Sequence, residues 1–145
     1  MRARGHETVE HAADMGIRGW GTSLEEAFEE TAEGVLELMV DREGLGGGDG
    51  FHISLTGKDL EGLLVDFLNE IISLSDLEDS IFTDVVVSGL SSTHEGWTLE
   101  ASLSGVPREG REGAILSDVK AVAWYGAEVA GRPGEGWTAR CLVDL

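Results

Sequence analysis

The 145-residue sequence is short of positive charge. It holds 10 lysines and arginines against 28 aspartates and glutamates, a net charge of −18, and only two of the bases are lysines, Lys58 and Lys120. Proteins that grip nucleic acid do so by releasing counterions with clustered Lys and Arg. No such cluster is present, which argues against strong direct binding to RNA or DNA. An acid-rich, lysine-poor composition fits a surface adapted to high intracellular salt, where self-repulsion is screened; it also fits an acidic protein of ordinary habitat. Cysteine is nearly absent. Cys141 stands alone, so the chain has neither a disulfide framework nor a thiolate zinc cluster. No apolar run reaches the length of a membrane span, and the basic start, Met1-Arg2-Ala3-Arg4-Gly5, lacks the apolar stretch of a signal peptide. No membrane partner is expected, and the expected location is the cytoplasm.

What is present suffices for a core. A 41% apolar fraction over 145 residues fits one domain, 1–145. Residues 6–12 and 15–20 read as two strands, the second with Gly16 and Gly19 as bend or bulge positions. Thr22 with Glu25 and Ser23 with Glu26 form overlapping capping-box patterns. Behind them Leu24, Ala27, Phe28, Thr31, Val35, Leu38 and Met39 recur at helical spacing, predicting an amphipathic helix to about residue 40. Its acids, Glu25 to Glu37, read as a solvated face. Residues 42–50 are a Gly-rich connection without the Gly-Lys-Ser/Thr ending of a phosphate loop. Residues 51–56 alternate as a strand. A second helix over 58–74 carries a wide stripe, Leu60, Leu63, Leu64, Phe67, Leu68, Ile71 and Ile72, and reads as the central core element. Four strands follow: 81–89, with Val85-Val86-Val87 readable as buried on both faces; 97–104; 119–130, bent near Gly126; and 137 to the end. The expected fold is α+β in the order ββαβαββββ. It has a mixed or antiparallel sheet with both helices packed on it and a second small sheet, a layered β/β/α sandwich.

Few residues carry chemistry. Asp14 lies near one end of the sequence, and Asp144 lies one residue from the terminal carboxylate of Leu145. If the ends meet, these hard oxygens form a small site suited to Ca²⁺ or Mg²⁺ rather than zinc; acids near chain ends are also commonly just solvated. His11, beside Glu10, reads either as an acid–base group or as a packed, hydrogen-bonded histidine. The four histidines show no metal-ligand spacing. Lys120 falls in a predicted strand, where an ion pair is its ordinary role. Cys141 alternates with apolar residues and belongs to the core. No serine or cysteine nucleophile stands in a recognisable setting.

Glu10-His11-Ala12-Ala13-Asp14-Met15-Gly16-Ile17 resembles the opening signature of the archease family. Four further segments resemble that family in the expected order: Thr22-Ser23-Leu24-Glu25-Glu26-Ala27-Phe28, Leu63-Leu64-Val65-Asp66-Phe67-Leu68-Asn69-Glu70, Asp118-Val119-Lys120-Ala121-Val122 and Val143-Asp144-Leu145. The resemblance implies a small, non-catalytic activator of the tRNA-splicing RNA ligase. Such a protein promotes guanylylation of the ligase's active-site histidine and meets GTP only through the ligase. It also implies a divalent cation, Ca²⁺ first with Mg²⁺ or Mn²⁺ as alternatives, held by Asp14, Asp144 and Leu145. Lys120 matches a basic position near that site, and Glu10 and His11 belong to the motif beside it. Three features depart from the family pattern. Ala12 stands where Thr is usual, Trp124-Tyr125 where many members have Tyr-His, and the Gly-rich loop at 44–50 is longer.

Two other function classes compete. One is a chaperone or modulator of RNA-modifying enzymes, with a tRNA methyltransferase as a possible partner. The other is a metal-dependent hydrolase using Asp14, Asp144 and His11, which the lack of a nucleophile or base pair disfavours.

Overall fold

The computed structural model describes residues 3–11 and 14–145, the side chain of His11 excepted. Met1 and Arg2, and Ala12 and Ala13 of the opening motif, therefore lie outside the described residues. The chain runs β1 (Gly5–His11), β2 (Asp14–Gly21), α1 (Leu24–Met39), β3 (Asp49–Gly57), α2 (Leu60–Leu77), β4 (Ser80–Thr93), β5 (Gly96–Pro107), a short 3₁₀ turn (Glu112–Ala114), β6 (Ala121–Arg132) and β7 (Gly136–Asp144). This is the expected ββαβαββββ order. The strands form a four-stranded sheet, β1-β2-β7-β6, and a three-stranded sheet, β3-β5-β4. All pairings are antiparallel, so the parallel element of a mixed sheet is not used.

Local chemistry sets the helix starts. Ser23 has extended backbone and its hydroxyl accepts from the Glu26 amide at 3.1 Å. The Glu26 carboxylate accepts in turn from the Thr22 amide at 2.9 Å and the Thr22 hydroxyl at 3.0 Å. The capping box is thus shared between two adjacent residues. Asp59 caps α2 by accepting from the Gly62 amide at 2.7 Å. Leu63, Leu64, Phe67, Leu68 and Ile71 on α2 are fully buried, as are Ala27, Phe28, Ala32 and Val35 on α1. Fully burying one large apolar side chain stabilises by about 1.5–3 kcal/mol, so these two stripes supply much of the driving force.

Each helix packs on both sheets. α1 packs on β1, β2 and β7 and also on β4, and α2 packs on β3, β4 and β5 and most extensively on β6. Glu29 of α1 accepts from the Val87 amide of edge strand β4 at 2.9 Å. Asn69 of α2 brackets Val122 of edge strand β6, accepting from its amide at 2.8 Å and donating to its carbonyl at 3.1 Å. Unpaired strand edges invite association, and here two side chains occupy two of them. The helices therefore fill the space between the sheets, which refines the expected stacking.

Two local expectations are corrected. Val85 and Val87 are buried but Val86 is 47% exposed, because only one face of the three-stranded sheet is covered by helix. The acids of α1 are not simply solvated. Glu29 and Glu30 bind Arg4, Glu30 and Glu37 bind His6, and Glu33 binds Arg42 at 2.6 Å. The bend near Gly126 is present. Between the pairs Ala123↔Leu142 and Glu128↔Arg140 the register advances five residues on β6 and two on β7. No helix among the described residues is long and apolar enough to cross a membrane.

Candidate metal centre

The candidate site lies at one corner of the four-stranded sheet, where β2 begins and β7 ends. The β2–β7 ladder runs to Met15↔Val143, and the next position on each strand is Asp14 and Asp144. Side chains at opposed antiparallel positions project from the same face, with Cβ atoms about 4.5–5.5 Å apart. On the other side of β7, Ala121 pairs with Asp144, and the Lys120 amide donates to the Asp144 carbonyl at 2.9 Å. Segments more than a hundred residues apart in sequence thus meet through the strand order.

Asp14, Asp144, Lys120 and Leu145 are all exposed. Among the described residues neither carboxylate enters an ion pair, and Lys120 forms none either, so the ordinary ion-pair role expected for this lysine is not filled. Lys120 also sits just ahead of β6 rather than within it. Glu10 pairs with Met15 across β1 and β2, one rung from the Asp14 position. Alternation along the strand therefore puts its side chain on the sheet face opposite Asp14. The backbone of His11 pairs with Asp14, while its side chain lies outside what is described. No group of three His, Cys, Asp or Glu side chains gathers within reach of one ion among the described residues.

The donor chemistry at the corner suits a hard divalent cation. Two carboxylates that form no ion pair among the described residues share one sheet corner, with the oxygens of Leu145 one residue further on. Oxygen-only ligation at a solvent-facing position matches Ca²⁺ or Mg²⁺, which complete their shells with water or a partner's oxygens. It does not match zinc, which favours nitrogen and sulfur donors. Cys141 contributes nothing here: it is fully buried, and burial pushes its thiol up to about 12.

A second polar cluster escaped the sequence reading. His6 faces Glu30 through Nδ1 at 2.7 Å and Glu37 through Nε2 at 2.8 Å. Arg4 Nε donates to Glu30 at 2.6 Å, and the same guanidinium reaches Glu29. Burial pushes the His6 imidazole down, but the Glu30 and Glu37 hydrogen bonds carry it above its ordinary value. Burial pushes the Glu30 carboxyl up, and the His6 and Arg4 hydrogen bonds bring it below the usual range. For Glu33 burial prevails over Arg42, and its carboxyl is raised. Arg4 lies just ahead of β1 and two residues before His6, and this spacing is the only sequence signal for the cluster. It fastens edge strand β1, and with it the opening motif, onto α1.

Residues 6–145 match the model of the Archease protein family (MTH1598/TM1083). The chain is 34% identical to a protein archease of Thermococcus gammatolerans over 139 residues, 96% of this chain and 97% of that one. It is 29% identical to a protein archease of Methanosarcina mazei over 140 residues, 97% of this chain and 95% of that one. The solution structure of Methanobacterium thermoautotrophicum protein 1598 is similar, with a TM-score of 0.80 at 26% identity over 97% of this chain and 99% of that one. An archease from Thermotoga maritima, named as a possible chaperone, shares the fold with a TM-score of 0.52 at 15% identity over 100% of this chain and 98% of that one. On these grounds the chain belongs to the archease protein family.

Proposed function

We propose that this chain is a cytoplasmic, non-catalytic activator of the tRNA-splicing RNA ligase. It promotes guanylylation of the ligase in tRNA splicing through a divalent cation, Ca²⁺ first, held by Asp14, Asp144 and Leu145. The observation that carries the reading is the β2–β7–β6 register, which gathers Asp14, Asp144 and the Lys120 backbone at one exposed corner in a chain of the archease family. A divalent ion at this corner supplies a compact positive charge open to oxygen ligands from outside the chain. Asp14 and Asp144 bind it, Leu145 adds a further oxygen, and Lys120 offers a second cation to a phosphate or to an acid of the ligase. GTP enters through the ligase, since the sequence has no cluster of Lys and Arg to hold it. Of the described arginines, Arg4, Arg18, Arg42, Arg108 and Arg132 are engaged with carboxylates of the chain itself.

The test is guanylylated ligase formed per minute from GTP, with and without this protein. Asp14→Asn and Asp144→Asn keep side-chain shape and remove charge. Both variants should fold normally and bind Ca²⁺ more weakly by calorimetry. Each should lower stimulation by about tenfold or more, since a Ca²⁺ site depends on ligand charge. A peptide fused after Leu145 should weaken Ca²⁺ binding if its carboxylate is a ligand. Variants that stimulate as well as the parent would refute the site. The second reading, a chaperone or modulator of RNA-modifying enzymes such as a tRNA methyltransferase, draws on the name given to the Thermotoga relative. Binding to several unrelated enzymes without any effect on guanylylation would favour it.

A further inference from the structure

Trp124 and Tyr125 are 62% and 79% exposed, and no other Phe, Trp or Tyr is exposed among the described residues. The cause is the bulge in β6. Three extra residues leave the ladder between Ala123 and Glu128. The excursion turns at Gly126, whose φ is +87°. A Cβ there would lie 2.7 Å from Leu142 Cδ1, so the bulge is folded tightly over β7 and needs a residue without a side chain. Bulges of this kind re-aim side chains next to functional sites, and this one begins two rungs along the ladder from the Ala121↔Asp144 pair.

Trp124 is also braced. A Cβ on Gly62, in the first turn of α2, would lie 3.2 Å from Trp124 Cζ3. The indole therefore rests against the bare helix at that glycine, with its remaining surface open to solvent. A ring held in place before binding loses little freedom on docking. Acids surround it along the chain: Asp59 and Glu61 flank the Gly62 turn, Glu128 closes the bulge, and Asp144 stands across from Ala121.

We propose, resting on the ligase reading above, that Trp124 and Tyr125 are the anchor by which this chain docks on the basic, RNA-handling surface of the ligase. Any protein that holds RNA presents clustered Lys and Arg. Two adjacent exposed aromatics, with Asp59 at the Gly62 turn beside Trp124 and both Glu128 and Arg140 beside Tyr125, on a chain of net charge −18, complement such a surface. Trp and Tyr are the side chains that most often dominate binding when they seat at the centre of an interface. Base stacking by these rings is the weaker fit, because single-strand binding sites pair their aromatics with a positively charged groove.

The experiment measures the dissociation constant between the purified cognate ligase and the full-length parent, Trp124→Ala or Tyr125→Ala in saturating Ca²⁺. Each substitution should weaken the complex by about tenfold or more. The concentration giving half-maximal guanylylation should rise by the same factor, with the maximum at saturation retained. Asp14→Asn should instead lower the maximum. Melting temperature and Ca²⁺ affinity should match the parent. Should Trp124→Ala lose stability with its helix contact, Tyr125→Ala, which removes a more exposed ring, decides the matter alone. Unchanged affinity in Tyr125→Ala and in a folded Trp124→Ala overturns the inference. So does a parent dimer lost on substitution while ligase binding persists, or a loss confined to RNA binding. A parent that fails to bind the ligase overturns both readings together; a parent that binds and stimulates, with variants that do so equally, overturns only this one.

Discussion

His6 is the residue whose titration the structure makes most visible. Both ring nitrogens face carboxylates, Glu30 at 2.7 Å and Glu37 at 2.8 Å, and only the imidazolium donates through both. Its folded pKa is raised above the ordinary value against the opposing effect of burial. Stability from this group is therefore fully present below an unfolded pKa of about 6.5 and is lost as pH rises through the folded value. Glu30, held low by His6 and Arg4 once burial is overcome, behaves oppositely and contributes above the ordinary carboxylate range. Losing one hydrogen bond to a charged group costs about 1.5–3 kcal/mol. Melting temperature should then fall by roughly 3–12 °C between pH 6 and pH 9. Scanning calorimetry on the parent and His6→Gln checks this. A slope that survives in His6→Gln would assign the titration to another group.

At the scale of elements, α1 packs closely on β2. Gly34 lies mid-helix, and a Cβ there would stand 2.6 Å from Ile17 Cγ2. Ile17 is 1% exposed and has no room to yield. Helix propensity alone favours Gly34→Ala by about 1 kcal/mol, but overpacking a rigid core costs about 1–3 kcal/mol. We expect net destabilisation, read as a lower urea midpoint. In an Ile17→Ala background the same change should become neutral or stabilising, since the obstructing methyl is gone. Additive effects of the two substitutions would show that the helix shifts freely on the sheet. The same contact explains why Gly34, which reads as a weakness in the helix, belongs there.

Over the whole molecule the dominant quantity is −18 on 145 residues. Arg4, Arg42 and Arg108 tie separate segments together through carboxylates, and salt weakens such pairs. With 28 acids against 10 bases, most acids have no cation to face, and their mutual repulsion outweighs those pairs. The Debye length falls from about 10 Å at 0.1 M salt to about 3 Å at 1 M, so added salt relieves repulsion across the surface. Melting temperature should rise as KCl goes from tens of millimolar to molar. A flat or falling curve would remove the salt-adapted reading and leave an acidic protein of ordinary habitat.

Local pattern alone determined the element order, the two apolar helix stripes, the cap of α1, the bend at Gly126 and the burial of Cys141. Each of these depends on neighbours a few residues away, and periodicity reports them directly. Tertiary structure decided what depends on distant partners. The α1 acids looked solvated because their cations, Arg4 just ahead of β1 and His6 on it, lie more than twenty residues upstream. Val86 looked buried because its run is apolar, yet only one face of its sheet is covered. The exposure of Trp124 and Tyr125 depends on how Gly126 folds against Leu142, which no local spacing encodes. Asp14 and Asp144 were singled out by family resemblance and by oxygen chemistry; their adjacency comes from the β2–β7 register, fixed in turn by which strand faces the helices bury.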